Sequence, residues 1–180
     1  MKRTLILGYG NFDRQDDGVA WHVLTDVARQ LGCAVPFSPE EEFPLHTAAP
    51  DHGAPDFQFE LQLTPELAET LAPYERVCFV DAHTGAVPHD VNVSEIAAEF
   101  QASPLTHHLT PQSLLTFAQT LYNARPEAIL VSVRGYQFGF ERELSPWTAE
   151  LARQAAEVIV KWVLDTDDTD RTDEHGLTEN

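Results

Sequence analysis

The sequence predicts an α/β protein: a three-layer sandwich in which a mostly parallel central sheet of about five strands has helices on both faces. Short apolar runs alternate with helical patterns along the chain, and this order is typical of parallel sheets. The uninterrupted apolar run at residues 77–80 indicates a central strand buried on both sides. With 180 residues and 43% hydrophobic content, the chain is long enough for one ordinary core.

The periodicity of apolar residues places the individual elements. The predicted strands cover residues 4–7, 57–63, 76–81, 91–93 and 127–133. A first helix over residues 18–31 has one apolar face, formed by Ala20, Val23, Leu24, Val27 and Leu31.

Three later helices are predicted where a hydroxyl residue precedes proline, a pair that suits the first turn of a helix. These pairs are Thr64-Pro65, Thr110-Pro111 and Ser145-Pro146. The last helix is expected to bury one face, which carries Trp147, Leu151, Val158, Ile159 and Trp162.

We predict one domain over residues 1–164 and a disordered acidic tail over 165–180, where few apolar side chains are present to order the chain. Residues 36–56 contain five prolines and the acidic run Glu40-Glu41-Glu42. This composition predicts a surface insertion without regular structure, with a mobile lid as the alternative.

The charge balance excludes a nucleic-acid partner. The formal net charge is −18, from 29 acidic and 11 basic residues, so there is no basic surface to neutralise phosphates. The sequence shows neither a signal-peptide core nor a run of 18 apolar residues, and we therefore expect a cytoplasmic protein without a membrane partner. Cys33 and Cys78 are expected to be free thiols, with Cys78 inside a buried strand.

The first strand runs into the turn Gly8-Tyr9-Gly10-Asn11, which is followed by Asp16 and Asp17. A nucleotide-binding Gly-x-Gly-x-x-Gly loop would need glycine where this chain has Asp13. Several carboxylates would repel an anionic ligand at this turn, so the turn is better suited to bind a cation. The Asn11 side chain is expected to hold the turn by hydrogen bonding to the backbone.

Two further polar positions lie next to predicted elements. Asp81 ends the central strand, and His107-His108 precede the helix that begins at Thr110. Ligands of α/β sheets collect where the strands end, and two carboxylates with one histidine suit a borderline divalent metal. Taken singly, each has an ordinary structural alternative: Asp16 as a helix cap, Asp81 as an acceptor for loop N–H groups, and the histidines as flanks of a helix start.

In combination, these features resemble the hydrogenase maturation protease family over roughly residues 3–164. The resemblance rests on Gly-Tyr-Gly-Asn followed by Asp-Asp-Gly, on Val-Asp-Ala after a central strand, on a histidine before a helix, and on the closing segment 132–146. It implies an aspartic-type endopeptidase that removes a C-terminal extension from the large subunit of a NiFe hydrogenase after the metal has been inserted. The partner would be that large-subunit precursor, and the protease is expected to be a monomer.

Matching positions of the family motif imply that Asp17, Asp81 and His107 recognise nickel, with His108 as the rival third ligand. The nickel would be carried by the substrate and bound only weakly by the free enzyme. Asp17, Asp81 and Asp16 are the expected catalytic carboxylates, with Asp16 in a supporting or base role.

Two alternatives remain open from the sequence. Water could be activated by the metal or by a carboxylate. The same three ligands would also suit a non-catalytic cytoplasmic module that binds or delivers metal, because the chain has neither a Gly-x-Ser-x-Gly nor a His-Glu-x-x-His motif.

Overall fold

A computed structural model describes residues 2–44, 53–100 and 109–165 of the chain. The strands in these ranges are β1 (Thr4–Tyr9), β2 (Asp56–Glu60), β3 (Arg76–His83), β4 (Val91–Ile96) and β5 (Glu127–Arg134). The helices are α1 (Val19–Gln30), α2 (Leu67–Leu71), α3 (Pro111–Tyr122) and α4 (Pro146–Leu164), and a single 3-10 turn, Gln15–Gly18, leads into α1.

The strands form one sheet in the order β2-β1-β3-β5-β4. All neighbours are parallel except β4, which runs antiparallel to β5 at the edge. Strand β3 is central, as predicted, and residues 77–80 are fully buried. The predicted mostly parallel sheet of five strands is therefore confirmed.

Helices cover both faces of the sheet. Helices α1 and α4 pack on one face around residues such as Leu24, Val80 and Ile159. Helices α2 and α3 pack on the other face around residues such as Leu71 and Leu114. This arrangement confirms the three-layer sandwich.

Helix α3 leads directly into β5, and this connection orients it. Its last residue, Tyr122, is five positions before Glu127, where β5 begins. Because α3 packs back along the sheet, its first turn lies toward the carboxyl ends of the parallel strands.

The predicted insertion at residues 36–56 is anchored to the core in its described part. The Phe43 side chain is only 6% exposed, and its ring centroid lies 5.3 Å from that of Trp21 and 5.5 Å from that of Phe57. Glu40 forms an ion pair with Arg142 at 2.7 Å. Residues 45–52 of the insertion and residues 166–180 of the predicted tail lie outside the described residues, so the domain boundaries stay predictions.

Two helix predictions need correction. Helix α2 begins at Leu67 rather than after Thr64, because Thr64 and Pro65 form a turn in which the Leu67 N–H donates to the Thr64 carbonyl at 3.1 Å. On α4, Trp147 and Val158 are 75% and 38% exposed. The residues that α4 buries are Thr148, Ala152, Ala155, Ala156, Ile159 and Val163.

Both cysteines are free thiols, as predicted, and Cys78 is fully buried. Burial raises the pKa of the Cys78 thiol far above its ordinary value, so this side chain is an apolar part of the core. Of the described helices, none has both the length and the hydrophobicity that crossing a membrane requires.

Candidate functional site

The site is built around the turn that follows β1. Gly10 has φ +146°, and a Cβ atom at this position would lie 2.1 Å from the Asp17 carbonyl oxygen, so only glycine fits. The Gly10 N–H donates to the Glu60 carbonyl at 3.0 Å, which ties the turn to β2. The Asn11 side chain accepts a hydrogen bond from the Asp13 N–H at 3.0 Å, which confirms that Asn11 holds the turn.

Asp17 lies in the 3-10 turn after this loop and is half-buried. Its Oδ2 accepts a hydrogen bond from the backbone N–H of Asn11 at 2.9 Å. The close approach of Gly10 to the Asp17 backbone therefore also brings a main-chain donor to the Asp17 carboxylate.

Asp81 lies near the carboxyl end of β3 and is half-buried. The parallel register pairs Gly8 with Val80, so the next residues, Tyr9 and Asp81, are neighbours across β1 and β3. The Tyr9 hydroxyl donates to Asp81 Oδ2 at 2.9 Å. Burial and this contact with Asp81 raise the pKa of Tyr9 well above its ordinary value, so the phenol keeps its proton.

The structure places Asp17 close enough to Asp81 for its charge to act on the Asp81 carboxyl group. Burial raises the pKa of Asp81 to about 6; the hydrogen bonds from Tyr9 and the Ala82 backbone act against this, and the negative charge of Asp17 adds to it. Two half-buried carboxylates that repel each other form a site that a cation would stabilise. Each also retains oxygen lone pairs beyond those its hydrogen bonds use.

Whereas Asp17 is half-buried, Asp16 is fully buried. It does not cap its own helix; it accepts five hydrogen bonds from residues that follow β5. The donors are the backbone N–H groups of Tyr136, Gln137 and Ser145 and the hydroxyls of Ser145 and Thr148, at 2.6–2.8 Å. Burial alone would raise the pKa of Asp16, but these hydrogen bonds outweigh it and lower the pKa.

His107 and His108 lie outside the described residues, so the predicted third ligand stays a prediction. Leu109, which follows them, packs on the same apolar cluster as Tyr9, on the side of the sheet that carries Asp81. Thr110 then caps α3 by accepting a hydrogen bond from the Ser113 N–H at 3.2 Å, as predicted. Both histidines are therefore close in sequence to a point fixed on the Asp81 side.

His83 is the described histidine nearest in sequence to Asp81, and its ring is already engaged. Nδ1 accepts a hydrogen bond from the Gly85 N–H at 3.0 Å, and Nε2 lies 3.3 Å from the Asp90 carbonyl oxygen. These partners assign the proton to Nε2 and leave no free ring lone pair. Within residues 2–44, 53–100 and 109–165, no three His, Cys, Asp or Glu side chains are grouped so that they could hold a metal ion.

Sequence reasoning missed Tyr9, which supplies the donor to Asp81. A tyrosine between two glycines carries no signal of its own, because the register between β1 and β3 is what places its hydroxyl beside Asp81.

Solved structures show the same fold in known proteins, whereas no family model and no curated protein matches the sequence. The chain is similar to an endopeptidase from Escherichia coli, with 17% identity over 92% of this chain and 94% of that chain and a TM-score of 0.62. It is similar to the hydrogenase maturating endopeptidase HybD from E. coli, with 16% identity over 92% and 94% and a TM-score of 0.60.

A third similar structure is the NiFe hydrogenase maturation protease HycI from Thermococcus kodakarensis. It is 19% identical over 91% of this chain and 93% of that chain, with a TM-score of 0.59. These likenesses extend over nearly the whole length of both chains, and the resemblance found in the sequence motifs leads to the same proteins. The chain therefore has the fold of the NiFe hydrogenase maturation proteases.

Proposed function

We propose that this protein is an endopeptidase that removes the C-terminal extension from the large-subunit precursor of a NiFe hydrogenase after nickel insertion. The observation that carries the proposal is the Asp17–Asp81 pair at the carboxyl edge of β1 and β3, in a fold shared with hydrogenase maturation proteases. The raised pKa of Asp81, to which the charge of Asp17 adds, supports a site that a bound cation would stabilise.

In this proposal, nickel is part of the substrate. Asp17, Asp81 and His107 supply two oxygen donors and one nitrogen donor, a set that suits a divalent metal of intermediate softness. Three such donors leave room in the coordination sphere for thiolates from the precursor. A precursor without nickel then lacks the charge that the two carboxylates require, so the cut depends on completed metal insertion.

Cleavage requires water to attack the scissile carbonyl, and the proton released from water ends on the departing amine. Asp16 is a poor base for this transfer, because hydrogen bonds lower the pKa of its carboxyl group. Asp16 instead uses its oxygens in five hydrogen bonds to the loop and helix after β5. We assign Asp16 the supporting role.

We further propose that the protein acts as a monomer in the cytoplasm. The two free thiols, one of them fully buried, are consistent with a reducing compartment. Size-exclusion chromatography with light scattering tests the monomer directly, since the chain mass is 20.1 kDa.

The decisive experiment incubates the purified protein with a nickel-loaded large-subunit precursor and measures the intact masses of the products. We expect the loss of one C-terminal peptide, and no cleavage of the same precursor prepared without nickel. Binding of the nickel-loaded precursor without any mass change would instead identify a non-catalytic metal-binding module. Equal cleavage of the two precursors would contradict recognition through nickel.

A further inference from the structure

We propose that Tyr9 is a positioning residue: its hydroxyl fixes the Asp81 carboxylate in the orientation that receives the substrate's nickel. This inference rests on the proposed function and adds to it a residue outside the ligand set. The contact that carries it is the hydrogen bond from the Tyr9 hydroxyl to Asp81 Oδ2 at 2.9 Å.

The backbone and the ring of Tyr9 are both held in place, and together they fix the position of its hydroxyl. Tyr9 is the last residue of β1, and its backbone pairs with Glu60 of β2. The ring packs against the apolar cluster beneath α2 and α3. A phenol held in this way has little freedom to follow Asp81, so the carboxylate must align with the hydroxyl.

One short turn thereby holds both carboxylates. Tyr9 binds Asp81 through its side chain, and Asn11, two residues later, binds Asp17 through its backbone N–H at 2.9 Å. Gly10 lies between them and is itself tied to β2. The relative placement of the two carboxylates therefore depends on the 9–11 turn, and Tyr9 is the part of this turn that mutation can remove without moving the backbone.

Hydrogen bonds of this kind orient metal-binding carboxylates, and removing one costs about 10- to 100-fold in metal affinity or activity. For Tyr9→Phe we expect Ni²⁺ binding to the free protein to weaken by about 10-fold. Ni²⁺ alone is the probe, and paramagnetic broadening of the Asp17 and Asp81 amide resonances measures weak binding. With nickel-loaded precursor, we expect kcat/KM to fall by a similar factor.

Tyr74→Phe is the matched control. The Tyr74 hydroxyl donates to Asp56 Oδ2 at 2.9 Å, so the variant removes the same kind of hydrogen bond elsewhere in the fold. We expect Tyr74→Phe to bind Ni²⁺ and to cleave the precursor like the parent. A loss of Ni²⁺ affinity in Tyr74→Phe as large as that in Tyr9→Phe would overturn the inference, because the effect would then be a general loss of structure.

A double variant tests whether Tyr9 acts through Asp81. If it does, Tyr9→Phe has no further effect on Ni²⁺ affinity in an Asp81→Ala background, where no acceptor is left for the Tyr9 hydroxyl to orient, whereas independent effects would add. An additional 10-fold loss in the double variant would overturn the positioning role.

The outcomes separate this inference from the proposed function. A parent that binds Ni²⁺ but never cleaves the precursor overturns the protease, while weaker Ni²⁺ binding in Tyr9→Phe still supports the positioning role. A parent that cleaves, with Tyr9→Phe equal to it in both assays, overturns the positioning role alone. A parent that neither binds Ni²⁺ nor cleaves overturns both.

Discussion

The carboxylate of Asp16 binds Ser145, 129 residues later in the chain, through two short hydrogen bonds. The Ser145 N–H donates to Oδ1 at 2.7 Å, and its hydroxyl donates to Oδ2 at 2.6 Å. Ser145 precedes the first turn of α4, yet its side chain makes no capping bond within its own helix. Asp16 supplies the negative charge that a helix N-terminus favours, and so joins the loop after β1 to α4.

We expect Asp16→Asn to lower the free energy of unfolding by about 3 kcal/mol or more, because an amide offers one acceptor oxygen and places its NH₂ group against buried donors. Urea denaturation at neutral pH measures this loss. Asp13→Asn is the control: its exposed carboxylate pairs with Arg142 at 2.7 Å, and such pairs contribute little. Equal, small losses in both variants would show that Asp16 is not a structural anchor.

The sequence predicted where Asp16 lies but not the partners of its carboxylate. The turn before it, with Gly10 and Asn11, is encoded locally and was predictable from residue types alone. The partners of the Asp16 carboxylate come from residues 136–148, and no local pattern identifies a contact across that separation. The same applies to Tyr9 and Asp81, which meet only because β1 and β3 pair in one particular register.

The buried residues of helix α4 could not be predicted from its apolar pattern either. The prediction followed its large apolar residues, whereas the helix buries small ones such as Ala152, Ala155 and Ala156 against the core. Small side chains allow close approach to α1, and hydrophobicity alone gives them little weight. Trp162 has another use: it covers the Arg76 guanidinium, which lies 3.7 Å from the centre of its ring.

Asp81→Asn should stabilise the apo protein at neutral pH. Because the pKa of Asp81 is raised to about 6 in the folded protein, the parent's stability falls as pH rises from about 4 through 6. The asparagine of the variant does not titrate, so the free energy of unfolding of Asp81→Asn does not fall in this way. The difference in its favour therefore grows over that pH range to at most about 3 kcal/mol above pH 7. Urea denaturation of both proteins at pH 4, 5, 6 and 7.5 measures the difference, and a constant difference would contradict the raised pKa.

In the same pH series, the contribution of Asp16 to the free energy of unfolding changes in the opposite direction. Its pKa is lowered in the folded protein, so its contribution is complete above the unfolded pKa near 4 and is lost as pH falls below that value. Asp16→Asn should therefore be most damaging at neutral pH and approach the parent in acid.

The free protein should bind divalent metal weakly. Two carboxylates and one histidine leave the coordination sphere incomplete, and the proposed completion comes from thiolates of the precursor. We expect Ni²⁺ to be lost on dialysis against buffer without chelator, with the retained metal measured by mass spectrometry. A stoichiometric metal that survives chelator treatment would contradict substrate-borne nickel and favour a resident metal.

His107→Ala and His108→Ala decide which histidine is the third ligand. We expect His107→Ala to abolish the effect of Ni²⁺ on the Asp17 and Asp81 amide resonances and His108→Ala to leave it intact. The reverse result would assign the ligand to His108. If Ni²⁺ affects the Asp17 and Asp81 amide resonances of both variants as it affects those of the parent, neither histidine is a ligand.

Three substitutions distinguish a role in cleavage from a role in folding. Asp17→Asn, Asp81→Asn and His107→Ala should each reduce cleavage of the nickel-loaded precursor at least about 100-fold, because each removes a negative charge or a donor atom that the incoming metal needs. The thermal midpoints of the two carboxylate variants should equal or exceed that of the parent, since neutralising one acid relieves repulsion between Asp17 and Asp81. Asp26→Asn, which changes a surface carboxylate of α1 paired with Arg29 at 3.1 Å, serves as the control and should keep parental cleavage. Parental cleavage rates in all three site variants would disprove the role of this trio, and unfolded variants would show that its members are structural.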